Sequence, residues 1–383
     1  MNGYNLAGIP RNSMTAHRSA SPLDGRTGPL AASLARRTRY AHLWLPGYLR
    51  DRWRRRNRPA IQRVWVLFAD HYEPLCAGAD RTRAKARVAA WSRRWPEIAA
   101  RHHDSAGRPP QYTFFYPEEE YRPELLDPLA EMSHAGIADV EVHLHHDGEG
   151  EQNFIDRISS FTETLHRRHG LLRTENGRLA FGFIHGNWSL CNSGPRCGLN
   201  NELPLLKQLG CYADFTFPAV PHPAQPRLLN TIYWATDDPQ LPKSYDTGVP
   251  VTPGRAPVGD LLMVPGPLAV NWRGGRLLPH IETGELAAHN PITAHRVNLW
   301  LDAAPSIGAD VFIKLYAHGA REDNATALLG RDLDLALSTL RSACSERRAD
   351  LHFVSAWQMR EAIGALRLTV DPVKALAGEV AIR

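Results

Sequence analysis

The 383-residue chain has no uninterrupted apolar run of about 18 residues, the length that a transmembrane helix needs. A secretory signal is not expected either, because the short apolar stretch after Arg37 is interrupted by Pro46. The five cysteines are an odd number and widely spread, which is typical of reduced thiols rather than of a disulfide framework. These absences together predict a cytoplasmic protein.

Two further patterns are missing. No glycine-rich phosphate loop follows the first predicted strand, where residues 68–74 read FADHYEP, so a dinucleotide-binding fold is not favoured. Cys191 and Cys197 have no second cysteine pair, so a zinc knuckle is not expected.

The positive charge is concentrated near the N-terminus. Residues 1–60 contain twelve arginines and two aspartates, a net of +10, so the rest of the chain carries −5 of the total of +5. We predict that residues 1–60 form a basic and largely disordered leader. The arginines and aromatic residues of 45–56 would allow peripheral contact with an anionic membrane or an acidic partner. A solvated tail without a specific role is the alternative, and no nucleic-acid partner is expected.

From residue 61 onward, predicted strands and helices alternate. The strands are predicted over 61–70, 111–116, 139–146, 179–185, 212–217, 310–317 and 351–355. The helices are predicted over 82–102, 123–134, 152–169, 200–209, 293–304, 325–347 and 356–366. Seven strand–helix units in a row indicate a parallel sheet in an α/β fold. We predict a distorted (β/α)7 TIM-like barrel over residues 61–370, with an irregular insertion over 218–292 after strand five and a tail over 371–383.

The third predicted strand carries ionisable residues on one face. Glu141, His143 and His145 alternate with apolar residues, so their side chains point to the same side. Burying such groups costs several kcal/mol unless something pairs with them, and a divalent metal is a common partner. An exposed, histidine-rich edge strand is the alternative.

Other strand ends add similar residues. In a βα barrel the active site lies at the carboxyl ends of the strands, and four of the seven predicted strands deliver histidine there. The predicted metal ligands, for Zn²⁺ or a similar ion, are Asp70, His71, His143 and His145, with His146 as an alternative to His71. Lys314, Tyr316 and His318 share one face of strand six, where we expect Lys314 to pair with Glu141.

These strand ends also carry a family resemblance. Residues 64–71 resemble the first motif of the polysaccharide deacetylases, the NodB-homology or carbohydrate esterase family 4 group, and residues 140–145 are similar to their second motif. Residues 351–360 resemble the last strand and helix of that fold, so the resemblance covers about 61–367. Ala69 stands where the family has its catalytic-base aspartate, and Glu149 stands where its second motif has the second histidine.

The resemblance implies a metal-dependent hydrolase that removes an acyl group, most simply N-acetyl, from a saccharide in bacterial polysaccharide metabolism. Glycosidase or linear amidase activity on the same barrel, or saccharide binding without turnover, are the alternatives. The expected catalytic residues are His318 as the acid and Glu149, Asp147, His71 or Glu73 as the base. The expected substrate-binding residues are Tyr116, His185, Asn187 and Trp188.

Overall fold

The helices lie along the chain largely where the sequence pattern predicts them. A computed structural model describes residues 38, 40–194, 196–273 and 279–381; the predictions made for 1–37 and for the last two residues lie outside this part. The described α-helices are α1 (Ala41–Arg55), α2 (Arg81–Ala99), α3 (Pro123–His134), α4 (Glu151–His169), α5 (Glu202–Leu209), α6 (Ala294–Ala303), α7 (Glu322–Ala327), α8 (Leu333–Glu346), α9 (Ala356–Arg367) and α10 (Pro372–Leu376). None of them is both long and apolar enough to cross a membrane.

The strands include all seven that were predicted. They are β1 (Arg63–His71), β2 (Tyr112–Pro117), β3 (Ala138–Leu144), β4 (Arg173–Glu175), β5 (Arg178–His185), β6 (Cys211–Asp214), β7 (Tyr233–Ala235), β8 (Gly248–Pro250), β9 (Leu261–Met263), β10 (Ala269–Asn271), β11 (His280–Glu282), β12 (Glu285–Leu286), β13 (Ser306–Ile307), β14 (Asp310–Ala317) and β15 (Asp350–Phe353). Strand β6 is shorter than predicted because the Asp214 side chain accepts hydrogen bonds from Thr216 and turns the chain there.

The central sheet is mostly parallel, which confirms the predicted α/β class. Its order is β12-β14-β1-β2-β3-β5-β6-β9-β7-β8, and β15 pairs with the first half of β1. The predicted closure into a (β/α)7 barrel is not found: among the described strands, the outer strands β12 and β8 do not pair with each other. The insertion explains this difference, because its short strands β7, β8 and β9 extend the sheet beyond β6.

The two faces of the sheet are covered differently. Along β1, Val64, Val66 and Phe68 belong to the larger core, which the sheet shares with α2, α3, α4, α6 and α8. Trp65 and Leu67 point the other way into a second core that includes residues of α9. This alternation places residues 70 and 71 on opposite faces of the sheet.

Helix α1 is part of the folded body, so the predicted leader ends too late at residue 60. Trp44 and Tyr48 are buried against Leu229 and Leu268 of the insertion. Arg55 donates hydrogen bonds to the backbone carbonyls of Asp302 and Ala304. The predicted C-terminal tail is likewise structured in part, because α10 packs beside α9 and buries Pro372.

Candidate metal centres

Three side chains form what we call the open cluster: His71, Glu73 and His143. Their nearest ligand atoms all lie within 4.8 Å of one another, which is close enough for one metal ion. His71 ends β1, Glu73 follows it in the next loop, and His143 lies near the end of β3, so the carboxyl ends of parallel strands bring them together. His143 Nε2 lies 3.3 Å from Glu73 Oε1, while its Nδ1 lies 3.1 Å from the Ile184 carbonyl oxygen.

Two more histidines border the open cluster. The His145 ring lies 4.7 Å from that of His143 between centroids, and the His318 ring lies 4.9 Å from that of His71. Both side chains are only partly buried, whereas His71 and His143 are buried. The open cluster is therefore approached from the side of His145 and His318.

The charges in the open cluster favour a bound cation. Burial would raise the pKa of Glu73, but the hydrogen bond with His143 and the electrostatic interaction with the surrounding histidines outweigh it and hold that pKa at about 2. Burial, together with the neighbouring imidazoles, lowers the pKa of His71 well below its ordinary value. A neutral imidazole and an ionised carboxylate are the forms in which these residues bind metal.

His145 forms a pair with Glu119 at the edge of the open cluster. Its Nδ1 is hydrogen-bonded to Glu119 Oε1, and its Nε2 lies 3.6 Å from Glu73 Oε1. Burial alone would lower the pKa of His145, but Glu119 raises it above the ordinary value. The carboxylate fixes the orientation of the ring, as in other histidine–carboxylate pairs.

The structure does not bring Asp70, a predicted ligand, into the open cluster. Its two carboxylate oxygens accept hydrogen bonds from the Gly319 N–H at 2.8 Å and from the Tyr112 hydroxyl at 2.7 Å. Burial raises the pKa of Asp70 to about 7. Asp70 points to the helix-covered face, opposite to His71, so its role here is to tie β1 to β2 and to the loop after β14.

Two of the predicted bases also lie elsewhere. Glu149 accepts a hydrogen bond of 2.7 Å from Arg157, and the same arginine also binds Glu118. Asp147 is exposed to solvent. The remaining candidates, His71 and Glu73, belong to the open cluster itself.

The predicted substrate-binding residues separate into different environments. Tyr116 is fully buried on the helix-covered face and donates a hydrogen bond to the Glu120 carbonyl oxygen, so the structure does not place it toward a substrate. Asn187 and Trp188 are partly buried in the loop after β5, next to the histidines.

The expected Lys314–Glu141 ion pair is absent. Lys314 Nζ instead donates to the backbone carbonyls of Phe215 and Phe217, the latter at 2.6 Å. Glu141 accepts hydrogen bonds from Arg173 and Tyr212. The Gly182 N–H is a third donor to Glu141. The prediction was wrong because these partners come from segments that the pattern of β3 does not reveal.

A cleft of about 830 Å³ reaches Tyr316 from the insertion side. Its lining contains both polar and apolar surface, with Thr283, Glu285, His289 and Arg296 among the polar residues. A cleft of this volume is within the range of small-molecule sites. Tyr316 connects this cleft to the open cluster, because its ring centroid lies 6.1 Å from that of His71.

A second group, the closed cluster, consists of His146, His185, Cys197 and Glu202. All four side chains are buried, and their ligand atoms lie within 4.8 Å of one another. His146 Nε2 lies 2.8 Å and Cys197 Sγ 3.1 Å from the Glu202 carboxylate. This cluster could hold a metal ion. His185, predicted to contact substrate, belongs here instead.

Cys197 and Glu202 were not predicted from the sequence to belong to a site. Glu202 begins α5 and Cys197 precedes it in an irregular loop, so neither lies on the face of a predicted strand. The sequence offered one indication of a metal site, which is that a cysteine and a glutamate follow His185 within 17 residues.

No protein-family model matches the sequence, and a search of curated proteins gave no match.

Proposed function

We propose that the protein is a metal-dependent hydrolase that removes an acyl group, in the simplest case N-acetyl, from a saccharide. The observation that carries this proposal is the convergence of His71, Glu73 and His143 at the carboxyl ends of β1 and β3. Two imidazoles and one carboxylate form a ligand set found in catalytic zinc sites, which keep a coordination position open for water or substrate.

The open cluster fits such an ion by its donor atoms, and Asp70 is not part of the set. A divalent ion held there would supply a Lewis acid that polarises an acyl oxygen and makes a water molecule more acidic. His145, oriented by Glu119, is placed to take a proton from water as the general base. His318, whose ring centroid lies 4.9 Å from that of His71, would give a proton to the leaving amine nitrogen.

This assignment compensates for Ala69. The base aspartate of the resembled family has no counterpart at that position. The His145–Glu119 pair, whose members follow β3 and β2, would act as the base instead. The cleft that reaches Tyr316 would hold the saccharide.

The test combines metal analysis with an assay of acetate release from acetylated saccharides. His143→Ala removes one of three ligands and is expected to lower the bound metal by one equivalent and to abolish acetate release. His166→Ala, an exposed histidine on α4, is the matched control and should change neither quantity.

Other results would redirect or refute the proposal. If His143→Ala keeps its full metal content and activity, the open cluster is not the active site. Release of reducing ends without acetate would indicate a glycosidase, and release of ammonia or an amine from linear amides would indicate an amidase. Bound metal without turnover on any of these substrates would indicate a saccharide-binding protein.

A further inference from the structure

We propose that the closed cluster is a separate zinc site whose ligands are His146, His185, Cys197 and Glu202. The proposal goes beyond the reaction at the open cluster and does not depend on it. Structural zinc sites are four-coordinate and contain sulfur and nitrogen ligands, with carboxylate oxygen in some of them. The closed cluster supplies four protein ligands in full, and burial leaves no side open to substrate.

The surroundings of Cys197 are those of a metal-bound sulfur. The backbone N–H groups of Asn192 and Leu199 point at its Sγ from 3.3 and 3.5 Å. Hydrogen bonds from backbone N–H groups to sulfur stabilise a thiolate and are a common feature around metal-bound cysteine. Binding converts the thiol into the thiolate and releases one proton to solvent.

The two histidines retain nitrogen atoms without hydrogen-bond partners. His146 Nδ1 and His185 Nε2 are both buried and unsatisfied in the described structure. For His146 the nitrogen that faces Glu202 is Nε2, while its Nδ1 lies 3.7 Å from Glu149 Oε2. His185 Nδ1 faces the Asn187 N–H at 3.2 Å, so Nε2 is the atom turned toward Glu202, 3.8 Å away. Ligation through Nε2 would put the ring proton on Nδ1, and the Asn187 N–H would then need another acceptor.

The loop between β5 and α5 gives the site its role. Trp188, Cys191, Asn192 and Arg196 all have positive φ angles, a conformation that is costly for residues other than glycine. A metal ion that joins the start of α5 to the ends of β3 and β5 would hold this loop in place. Because His145 and His146 are adjacent, the same ion would also stabilise the wall of the open cluster.

The test uses cobalt(II) in place of zinc in the full-length protein. Only a cobalt–thiolate bond gives an intense near-ultraviolet charge-transfer band, and the open cluster contains no cysteine. We expect this band in the wild type and in His143→Ala, and its loss in Cys197→Ser. Cys344→Ser, which removes another buried cysteine, is the matched control and should keep the band.

X-ray absorption of the wild-type zinc protein covers the case in which Cys197→Ser does not fold. We expect one sulfur neighbour of zinc at about 2.3 Å. Absence of both the sulfur neighbour and the charge-transfer band from the wild type would overturn the zinc site, whatever the outcome at the open cluster. Persistence of the band in a folded Cys197→Ser variant would overturn the ligand assignment.

An independent observation concerns the outer face of α1. Leu45, Leu49 and Trp53 are exposed at four-residue intervals, so they form one stripe along the helix. Trp53 is 68% exposed, although the same helix buries Trp44 on another face. An exposed apolar stripe of this kind marks an interaction surface.

The charges around this stripe identify its partner. Exposed arginines flank it: Arg50, Arg52, Arg54 and Arg56. The one acidic residue of the helix, Asp51, is turned to the body, where it accepts hydrogen bonds from Arg55 and Asn230. We infer that this face of α1 lies on the surface of a membrane that contains anionic lipids, with tryptophan and leucine at the headgroup level.

Sedimentation with phosphatidylcholine vesicles, with and without phosphatidylglycerol, tests this inference. The wild type should bind only the anionic vesicles. Arg52→Gln/Arg56→Gln should lower the partition coefficient about 25-fold, or about five-fold for each arginine. The matched control is Arg93→Gln/Arg94→Gln on α2, which removes the same charge from another exposed site and should bind as the wild type does. Equal loss in both variants, or no binding to anionic vesicles, would overturn the inference.

Discussion

The buried ion pair between Glu282 and Arg296 allows a quantitative test of how the cleft wall is held. Both side chains are buried, and Glu282 accepts hydrogen bonds from Arg296 Nε at 2.7 Å and from Arg296 Nη2 at 2.9 Å. Trp300 Nε1 and the Gly284 N–H add two more bonds of 2.9 Å. Arg296 lines the cleft that reaches Tyr316, so this carboxylate supports the proposed substrate site.

Glu282→Gln removes the negative charge but keeps the size of the side chain. It leaves a buried guanidinium without its counter-ion, which costs about 3–5 kcal/mol when a buried pair loses one partner. We therefore expect the free energy of unfolding to fall by about 3–4 kcal/mol at neutral pH. Asp323→Asn breaks an exposed pair with Arg321 and is the control, with an expected change below about 0.5 kcal/mol.

The pH dependence of the difference gives a second measurement. Burial would raise the pKa of Glu282, but Arg296 outweighs it and lowers that pKa below the ordinary value. A lowered pKa contributes stability above the ordinary glutamate pKa and loses it as the pH falls. The gap between wild type and Glu282→Gln, measured by urea unfolding, should therefore be largest near neutrality and shrink in acid. A gap below about 1 kcal/mol at pH 7, or one that does not change with pH, would refute this account.

Two further predictions concern α1 and the proposed acid. Trp44→Ala should lower the free energy of unfolding by about 3 kcal/mol in urea titrations because the side chain is buried against the insertion. Trp53→Ala, on the exposed side of the helix, should change it by less than about 0.5 kcal/mol, and equal effects would show that α1 is not docked as described. His318→Gln should keep the bound metal and lower kcat about 10²–10⁴-fold on an acetylated saccharide, the usual contribution of positioned proton transfer. Loss of metal in this variant would make His318 a ligand, and unchanged kcat would exclude both roles.

Local pattern predicted the elements of this protein well. Strand β14 and helix α3 have the predicted bounds, because apolar alternation and helical periodicity depend on near neighbours in the chain. The same period of two placed His143 and His145 on one face of the predicted third strand, and the structure has their rings 4.7 Å apart although β3 ends at Leu144. Sheet closure depends on how distant edges meet, and the insertion strands that extend the sheet carried no clear periodicity.

The members of the two ligand sets do not follow from the local sequence pattern. The sequence placed chemistry at the end of β1, but Asp70 and His71 are adjacent and face opposite sides, so only the packing of β1 decides which one joins the open cluster. Glu73 enters from a loop, where no period predicts direction. Cys197 and Glu202 meet His146 from more than 50 residues away along the chain, through a loop with several left-handed residues.

The sequence by itself therefore determined the order of strands and helices, the α/β class and the histidine-rich ends of β1, β3 and β14, because each follows from short-range periodicity and residue chemistry. The tertiary structure alone decided which side chains share a site, how far the sheet extends and that α1 belongs to the body. These depend on contacts between residues far apart in the chain, where the burial of apolar faces and the pairing of buried charges select one arrangement.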